Sequence, residues 1–116
     1  MFKLFKKDDN DDFDIANVSN DNVNKFIKAG HLKFVYLISP NFGGSEGVDN
    51  RILVTPKAYK EKELIDNELF HFLEQGKSVN KFNIDLKYKG NSIVPSKIIV
   101  SAIIDEKEYN KIVEVW

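Results

Sequence analysis

A short helix is predicted near the start of the chain from the spacing of its apolar residues. Val23 lies three and four residues before Phe26 and Ile27, so all three share one face of a helix over 19–29. Ser19 suits the N-cap, where its hydroxyl can accept a hydrogen bond from a free backbone N–H. Gly30 suits the position after the helix, where a left-handed backbone is common.

A second, longer helix is predicted over 56–75. Thr55 can cap its N-terminus, Pro56 fits the first helical position, and Gly76 ends the pattern. Its apolar face comprises Ile65, Leu69, Phe72 and Leu73. We therefore expect this helix to pack along one side on a sheet.

Strands are predicted wherever the apolar period shortens to two or becomes continuous. Phe82, Ile84 and Leu86 alternate with Asn83 and Asp85, which is typical of a half-buried strand. The predicted strands cover 33–39, 51–54, 79–88, 97–104 and 108–116. The last two form a hairpin around residues 105–107.

These elements predict an α+β fold. We expect a mostly antiparallel sheet of about four to five strands, with the long helix packed on one face and a short N-terminal helix beside it. The expected core residues are Leu69, Phe72, Leu73, Phe82, Ile84, Leu86, Ile98 and Val100.

Composition narrows the class of protein. A chain of 116 residues is expected to form a single domain over 1–116, with 1–14 as a flexible acidic segment. The chain has no cysteine, which excludes disulfides and thiolate metal ligands and favours a cytoplasmic setting. Its net charge of −1 makes tight nucleic-acid binding unfavourable, and no signal peptide or membrane span is predicted.

Several short motifs of turn-forming and polar residues occur in a fixed order in the middle and at the end of the chain. The series is Gly30-His31-Leu32, Phe42-Gly43-Gly44, Asp49-Asn50, Asn67-Glu68-Leu69, Gly76-Lys77, Tyr88-Lys89-Gly90-Asn91-Ser92 followed by Pro95, and Ile104-Asp105. This order resembles the DNA/RNA non-specific endonuclease domains of the ββα-metal class, which end many bacterial polymorphic toxins. The resemblance covers about three quarters of the chain, from Gly30 onward.

The resemblance implies a nuclease scaffold whose chemistry is incomplete. His31 matches the general base of the family, and Asn50 matches an Asn that precedes the family's long helix and is expected to be structural. Only if the chain is a nuclease would a divalent metal such as Mg²⁺ bind near Asn50 and Asp49. The family's metal-binding Asn on the long helix would fall near Ala58, which cannot bind a cation. His31 can instead be read as a residue that helps to end the first helix.

The acidic residues allow three interpretations. A calcium loop would use Asp8, Asn10 and Asp12, but Phe13 stands where that loop needs Gly and Ser19 where it needs Glu. The helix acids could form a solvated face that Lys57, Lys60 and Lys62 partly balance. They could also form an acidic surface that binds a basic partner.

We expect a non-catalytic binding protein without a cofactor. Its partner would be a toxin domain that it neutralises, as an immunity or antitoxin-like protein does, and a chain beginning at Met1 is expected to be free-standing. The candidate partner-binding residues are Asp8, Asp9, Asp11, Asp12, Glu61, Glu63, Asp66 and Glu68, together with the loop 41–49. The alternatives are a diverged metal-dependent nuclease that uses His31, Asn50 and Asp49, and a structural or regulatory module.

Overall fold

A computed structural model describes residues 12–116 of the chain. In chain order, its elements are α1 (Val23–Lys28), β1 (Lys33–Tyr36), β2 (Arg51–Val54), α2 (Pro56–Glu74), β3 (Val79–Lys87), β4 (Lys97–Ile104) and β5 (Lys107–Glu114). Short 3-10 turns occur at Ile15–Asn17, Pro40–Phe42 and Val48–Asn50. The predicted α+β class is confirmed.

The five strands divide between two antiparallel sheets. β1 pairs with β2 from Lys33 opposite Val54 to Tyr36 opposite Arg51. β4 lies between β3 and β5 in the second sheet. The long helix α2 contacts β1 on one side and β3 and β5 on the other, so it joins the two sheets. Within residues 12–116, neither helix has both the length and the apolar character needed to cross a bilayer.

The ends of α2 follow the predicted capping chemistry. The Thr55 hydroxyl accepts a hydrogen bond from the Ala58 N–H at 3.2 Å, and Pro56 occupies the first turn. At the other end, Gly76 has a φ of +82°, and the Lys77 N–H donates to the Phe72 carbonyl at 3.0 Å. This left-handed glycine satisfies backbone carbonyls that would otherwise lack a partner.

Two elements are shorter than the sequence pattern predicts. α1 begins at Val23, because the Ser19 N–H donates to the Asn22 side chain at 2.8 Å and residues 20–22 form a turn. Such local side-chain bonds compete with a helix. β1 ends at Tyr36, because the Ile38 N–H is taken by the side chain of Asn50 at 3.0 Å.

The predicted core is confirmed only in part. Leu69, Ile98 and Val100 are buried, whereas Leu73 is 43% exposed and its assignment to the core is wrong. Leu73 lies in the last turn of α2 and lines an open depression beside Ile38 instead of packing under a sheet. The remaining predicted core residues, Phe72, Phe82, Ile84 and Leu86, are half-buried and pack against the core.

The core also includes residues near the start of the described chain. Val18 is fully buried, and its carbonyl accepts a hydrogen bond from the Ile93 N–H at 3.0 Å. The Ser92 hydroxyl donates to the Ile15 carbonyl at 2.6 Å. These bonds hold residues 15–18 against the connection between β3 and β4.

Candidate functional site

His31 lies where α1 ends. Its backbone N–H donates to the Phe26 carbonyl at 2.9 Å, directly after Gly30, which has a φ of +86°. The imidazole stacks parallel on the Phe13 ring with centroids 4.4 Å apart. Its Nε2 atom is buried and has no hydrogen-bond partner within residues 12–116. The backbone bond fits the capping interpretation of this residue.

Asn50 is a buried loop clamp. Its Oδ1 accepts from the Ile38 N–H at 3.0 Å, and its Nδ2 donates to the Ile38 and Ser45 carbonyls at 2.8 and 2.6 Å. Gly44 lies so close that an added Cβ would stand 1.8 Å from the Ile38 oxygen. Both N–H groups of the Asn50 amide and one acceptor site of its oxygen are therefore used by backbone groups, while Asp49 is exposed at the surface.

The predicted nuclease residues lie at opposite ends of the β1–β2 pair. Asn50 lies next to the end of the pair at which Tyr36 is opposite Arg51, and the Asn50 carbonyl accepts there from the Leu37 N–H at 2.9 Å. His31 precedes the Lys33–Val54 end. β1 between them spans roughly 10 Å at about 3.3 Å per residue. In the part of the chain that is described, no group of three His, Asp or Glu side chains could hold a metal ion.

The acidic N-terminal residues are described only from Asp12 onward, and Asp8, Asp9 and Asp11 lie outside the described residues. Asp12 accepts a hydrogen bond from the Lys25 ammonium at 2.5 Å, which holds the pKa of Asp12 below its usual value. The following residue, Phe13, packs edge-on against Phe26 at 4.9 Å. Asp12 thus pairs with α1.

The four helix acids of α2 divide between two faces. Glu63 and Asp66, three residues apart, face a cleft beside β1 and β2. Glu61 and Glu68, seven residues apart, face β5. The acids therefore contribute to two separate surfaces.

Asp66 has a structural partner. Both of its carboxylate oxygens accept from the Lys62 ammonium, at 2.8 and 2.9 Å, and Lys62 also donates to the Tyr36 carbonyl at 3.0 Å. Lys62 is fully buried, so the interpretation that places it on a solvated helix face is wrong. Burial raises the pKa of Asp66, and the Lys62 ammonium partly offsets that increase. This group joins α2 to β1.

Glu61 and Glu68 border an exposed apolar patch. Leu64 is 68% exposed and Ile112 is 57% exposed, and both line a shallow depression of about 570 Å³ between α2 and β5. Glu68 accepts from the Tyr109 hydroxyl at 2.6 Å, and burial together with this bond raises the pKa of Tyr109. We call Glu61, Leu64, Glu68 and Ile112 the acid-flanked patch.

The sequence pattern does not reveal the two apolar members of this patch. Leu64 lies off the apolar face of α2, which is the one available signal for it. Ile112 follows the alternation of β5 onto the opposite side from Val113, which is buried. Only the packing of α2 beside β5 brings Leu64 and Ile112 to one depression.

A second cleft lies on the other side of α2. It holds about 320 Å³ between α2 and the β1–β2 pair, and its walls include Phe34, Tyr36, Tyr59, Arg51 and Glu63. The Glu63 carboxylate raises the pKa of the Tyr59 hydroxyl. We call it the aromatic cleft.

No protein-family model matches this chain, and no curated protein matches it. The likeness to ββα-metal nuclease domains remains an expectation from the sequence marks.

Proposed function

We propose that this chain is a non-catalytic binding protein that recognises a protein partner through its acid-flanked patch. In keeping with the sequence resemblance, the partner is a bacterial toxin domain and the role is that of a cytoplasmic immunity protein. The observation that supports this proposal is the pairing of two exposed apolar side chains, Leu64 and Ile112, with two carboxylates on one depression.

The patch has the composition of a protein-binding surface. Stable interfaces concentrate their free energy in a few apolar anchors at the centre and place polar groups at the rim. Leu64 and Ile112 are the candidate anchors, and burying a fully exposed side chain of this kind is worth about 1.5–3 kcal/mol. Lys111 also lines the depression, so Glu61 and Glu68 leave it with one net negative charge. That charge favours a basic partner, because complementary charge speeds encounter and disfavours acidic competitors.

Two features favour binding over catalysis. His31 and Asn50 lie at opposite ends of the β1–β2 pair, so neither supports the other in activating water. Asn50 is buried, and its Oδ1, the atom that would bind a cation, already accepts from the Ile38 N–H, which favours a structural role for this residue.

Capture of partners from native cells tests this proposal when it is combined with paired variants on α2. The tagged wild type is expected to retain a toxin domain. Leu64→Ala should weaken the affinity for this domain at least about tenfold, as removal of an interface anchor does. Leu73→Ala is the matched control, because Leu73 is an exposed leucine of the same helix outside the patch. Equal losses from both substitutions would contradict the assignment of the surface.

The charge of the partner is tested separately. Glu61→Lys should weaken binding and reduce its dependence on salt, because it reverses one charge facing a basic partner. Glu74→Lys makes the same charge change on an exposed residue of α2 and should leave binding within about twofold of the wild type. A partner that binds Glu61→Lys more tightly would mean that the surface it presents is acidic.

A further inference from the structure

The aromatic cleft contains a cationic group that has no hydrogen-bond or ion-pair partner among residues 12–116. Arg51 is the only arginine among the 17 basic residues of the chain. Its guanidinium lies 5.4 Å from the centre of the Phe34 ring, and its Nε atom is buried without a hydrogen-bond partner among residues 12–116. Within the same residues, no carboxylate lies at ion-pair distance from Arg51.

An arginine in this position has a chemical preference. Its planar fork of N–H groups matches the two oxygens of a carboxylate, which a lysine ammonium contacts only as a point charge. In a chain that otherwise uses lysine, the guanidinium points to a planar oxyanion as the missing partner. The guanidinium carbon lies 5.4 Å from the centre of the Phe34 ring, within the range of a cation–π contact.

The charges around the cleft favour an anion of charge −1. Asp66 faces the cleft, but both of its oxygens are bonded to Lys62, so this pair is close to neutral. Glu63 adds one negative charge. Arg51 adds one positive charge. Lys33 does not line the cleft, but it adds another positive charge beside it, because its ammonium lies 3.8 Å from the centre of the Tyr59 ring, which does line the cleft. These side chains together carry one net positive charge. A monoanion would neutralise that charge, whereas a dianion would leave the cleft with an excess negative charge.

The remaining walls favour a ligand with a ring or a short apolar body. Phe34, Tyr36 and Tyr59 supply three aromatic rings, and Phe34 is 45% exposed. A cleft of about 320 Å³ is at the small end of the ~300–1,000 Å³ range of ligand sites. Rings of this kind pack against other rings in stacked or edge-on contacts.

We propose that the aromatic cleft binds a small monoanionic organic carboxylate that carries a ring or a short apolar body. The carboxylate takes the free N–H groups of Arg51, and the body lies against Phe34 and Tyr59. Glu63 opposes the anion at the outer side, so the carboxylate lies at the Arg51 end. This site is on the opposite side of α2 from the acid-flanked patch, and it does not depend on the function proposed for that patch.

Titration of the protein with benzoate, followed by backbone amide NMR, tests the proposal. Benzoate should shift resonances of β1, β2 and α2 with a dissociation constant on the order of 1 mM, as expected for a ligand of this size. Benzylammonium, which has a similar ring and the opposite charge, should cause no such shifts. Absence of benzoate shifts at these sites up to about 20 mM, a concentration well above the expected constant, would overturn the proposal.

Variants distinguish binding through the guanidinium group of Arg51 from binding through positive charge alone. Arg51→Lys should weaken benzoate binding at least about tenfold, because it removes the bidentate fork and keeps the charge. Lys60→Gln, an exposed residue of α2 outside the cleft, should leave it unchanged. Glu63→Gln should strengthen it a few-fold by removing the opposing carboxylate. If Arg51→Lys does not fold, Phe34→Ala gives the same test, and unchanged binding by the folded variant would overturn the proposal.

Two further probes fix the source of the carboxylate. Inorganic phosphate should bind more weakly than benzoate, because it lacks a ring and carries more charge. A short peptide ending in a free phenylalanine carboxylate should bind no more tightly than benzoate. Tighter binding of phosphate, or a tenfold preference for the peptide terminus, would overturn the assignment to a small organic acid.

Discussion

The buried Lys62–Asp66 pair offers the sharpest test of how α2 is held. Lys62 has no exposed surface, and its ammonium donates to the Tyr36 carbonyl and to both Asp66 oxygens. Asp66→Ala would leave that ammonium with the Tyr36 carbonyl as its one remaining acceptor among the described residues. Because an unpaired buried charge is costly, the free energy of unfolding should fall by about 3–5 kcal/mol.

Removing the Lys62 ammonium should lower the free energy of unfolding by less than removing the Asp66 carboxylate does. Lys62→Met keeps most of the apolar stem and removes the ammonium donor that Asp66 and the Tyr36 carbonyl share among the described residues, at a cost of about 1–3 kcal/mol. The Asp66 side chain is 15% exposed and can also take up a proton, which limits the penalty. The double substitution Lys62→Met with Asp66→Leu removes both charges and should cost about 1–2 kcal/mol, far below the sum of the single effects.

Urea unfolding followed by the fluorescence of Trp116 measures these effects. The exposed pair Lys97–Glu114, at 3.8 Å, is the control, and Glu114→Ala should change the free energy by less than about 0.5 kcal/mol. A loss below about 1 kcal/mol for Asp66→Ala would refute the burial of Lys62 and the seating of α2 on β1.

The pH dependence gives a second check on the same pair. Burial raises the pKa of Asp66 in the folded protein, so the folded state holds this proton more tightly than the unfolded chain. The resulting stabilisation is fully present below the unfolded pKa of about 3.9 and is lost as pH rises through the folded pKa. The stability gap between wild type and Asp66→Ala should therefore narrow as pH rises from about 4. A widening gap would contradict this direction.

Two further predictions concern the loop before β2 and the packing of α2. Gly44→Ala should lower the free energy of unfolding by about 2–3 kcal/mol, because its Cβ would meet the Ile38 carbonyl. Gly43→Ala, in open space at a φ of +89°, should lower it by only about 1–2 kcal/mol. Similar losses for the two variants in urea unfolding would show that the loop does not close on Ile38. Phe72→Ala should cost about 2–3 kcal/mol, less than the 3–5 typical of full burial, since Phe72 is half-buried. A loss below about 1 kcal/mol for Phe72→Ala would show that α2 packs on the sheets with a different face. Leu73→Ala replaces an exposed residue, and its loss should stay below about 1 kcal/mol.

Local chemistry made much of the fold predictable. The ends of α2 depend on Thr55, Pro56 and Gly76, whose effects act within one helical turn, and each lies where the sequence places it. β2 and the β4–β5 hairpin also follow from patterns within a few residues. The division into two sheets depends on which strands α2 separates, and no local pattern records that.

The candidate sites were harder to predict because they depend on burial. In a sequence rich in charge, Lys62 resembles its exposed neighbours, and only the Tyr36 carbonyl at 3.0 Å explains why it is buried. Asp66 likewise looks available to a partner, but it is already paired. Glu61 and Glu68 were predictable as surface acids, whereas the apolar Leu64 between them becomes informative only once its exposure is known.

The residues behind the nuclease resemblance that have defined contacts all have structural roles in this fold. Gly30 and Gly76 end helices with a left-handed backbone, Gly44 permits a close approach to the Ile38 carbonyl, and Asn50 clamps the same loop. A binding protein needs these roles as much as an enzyme does, so the marks describe how the chain turns and leave its chemistry open. Function is better sought in groups that the fold leaves unsatisfied. Among the described residues, the Arg51 guanidinium, the His31 Nε2 atom and the exposed Leu64 side chain are such groups, and each can be tested alone.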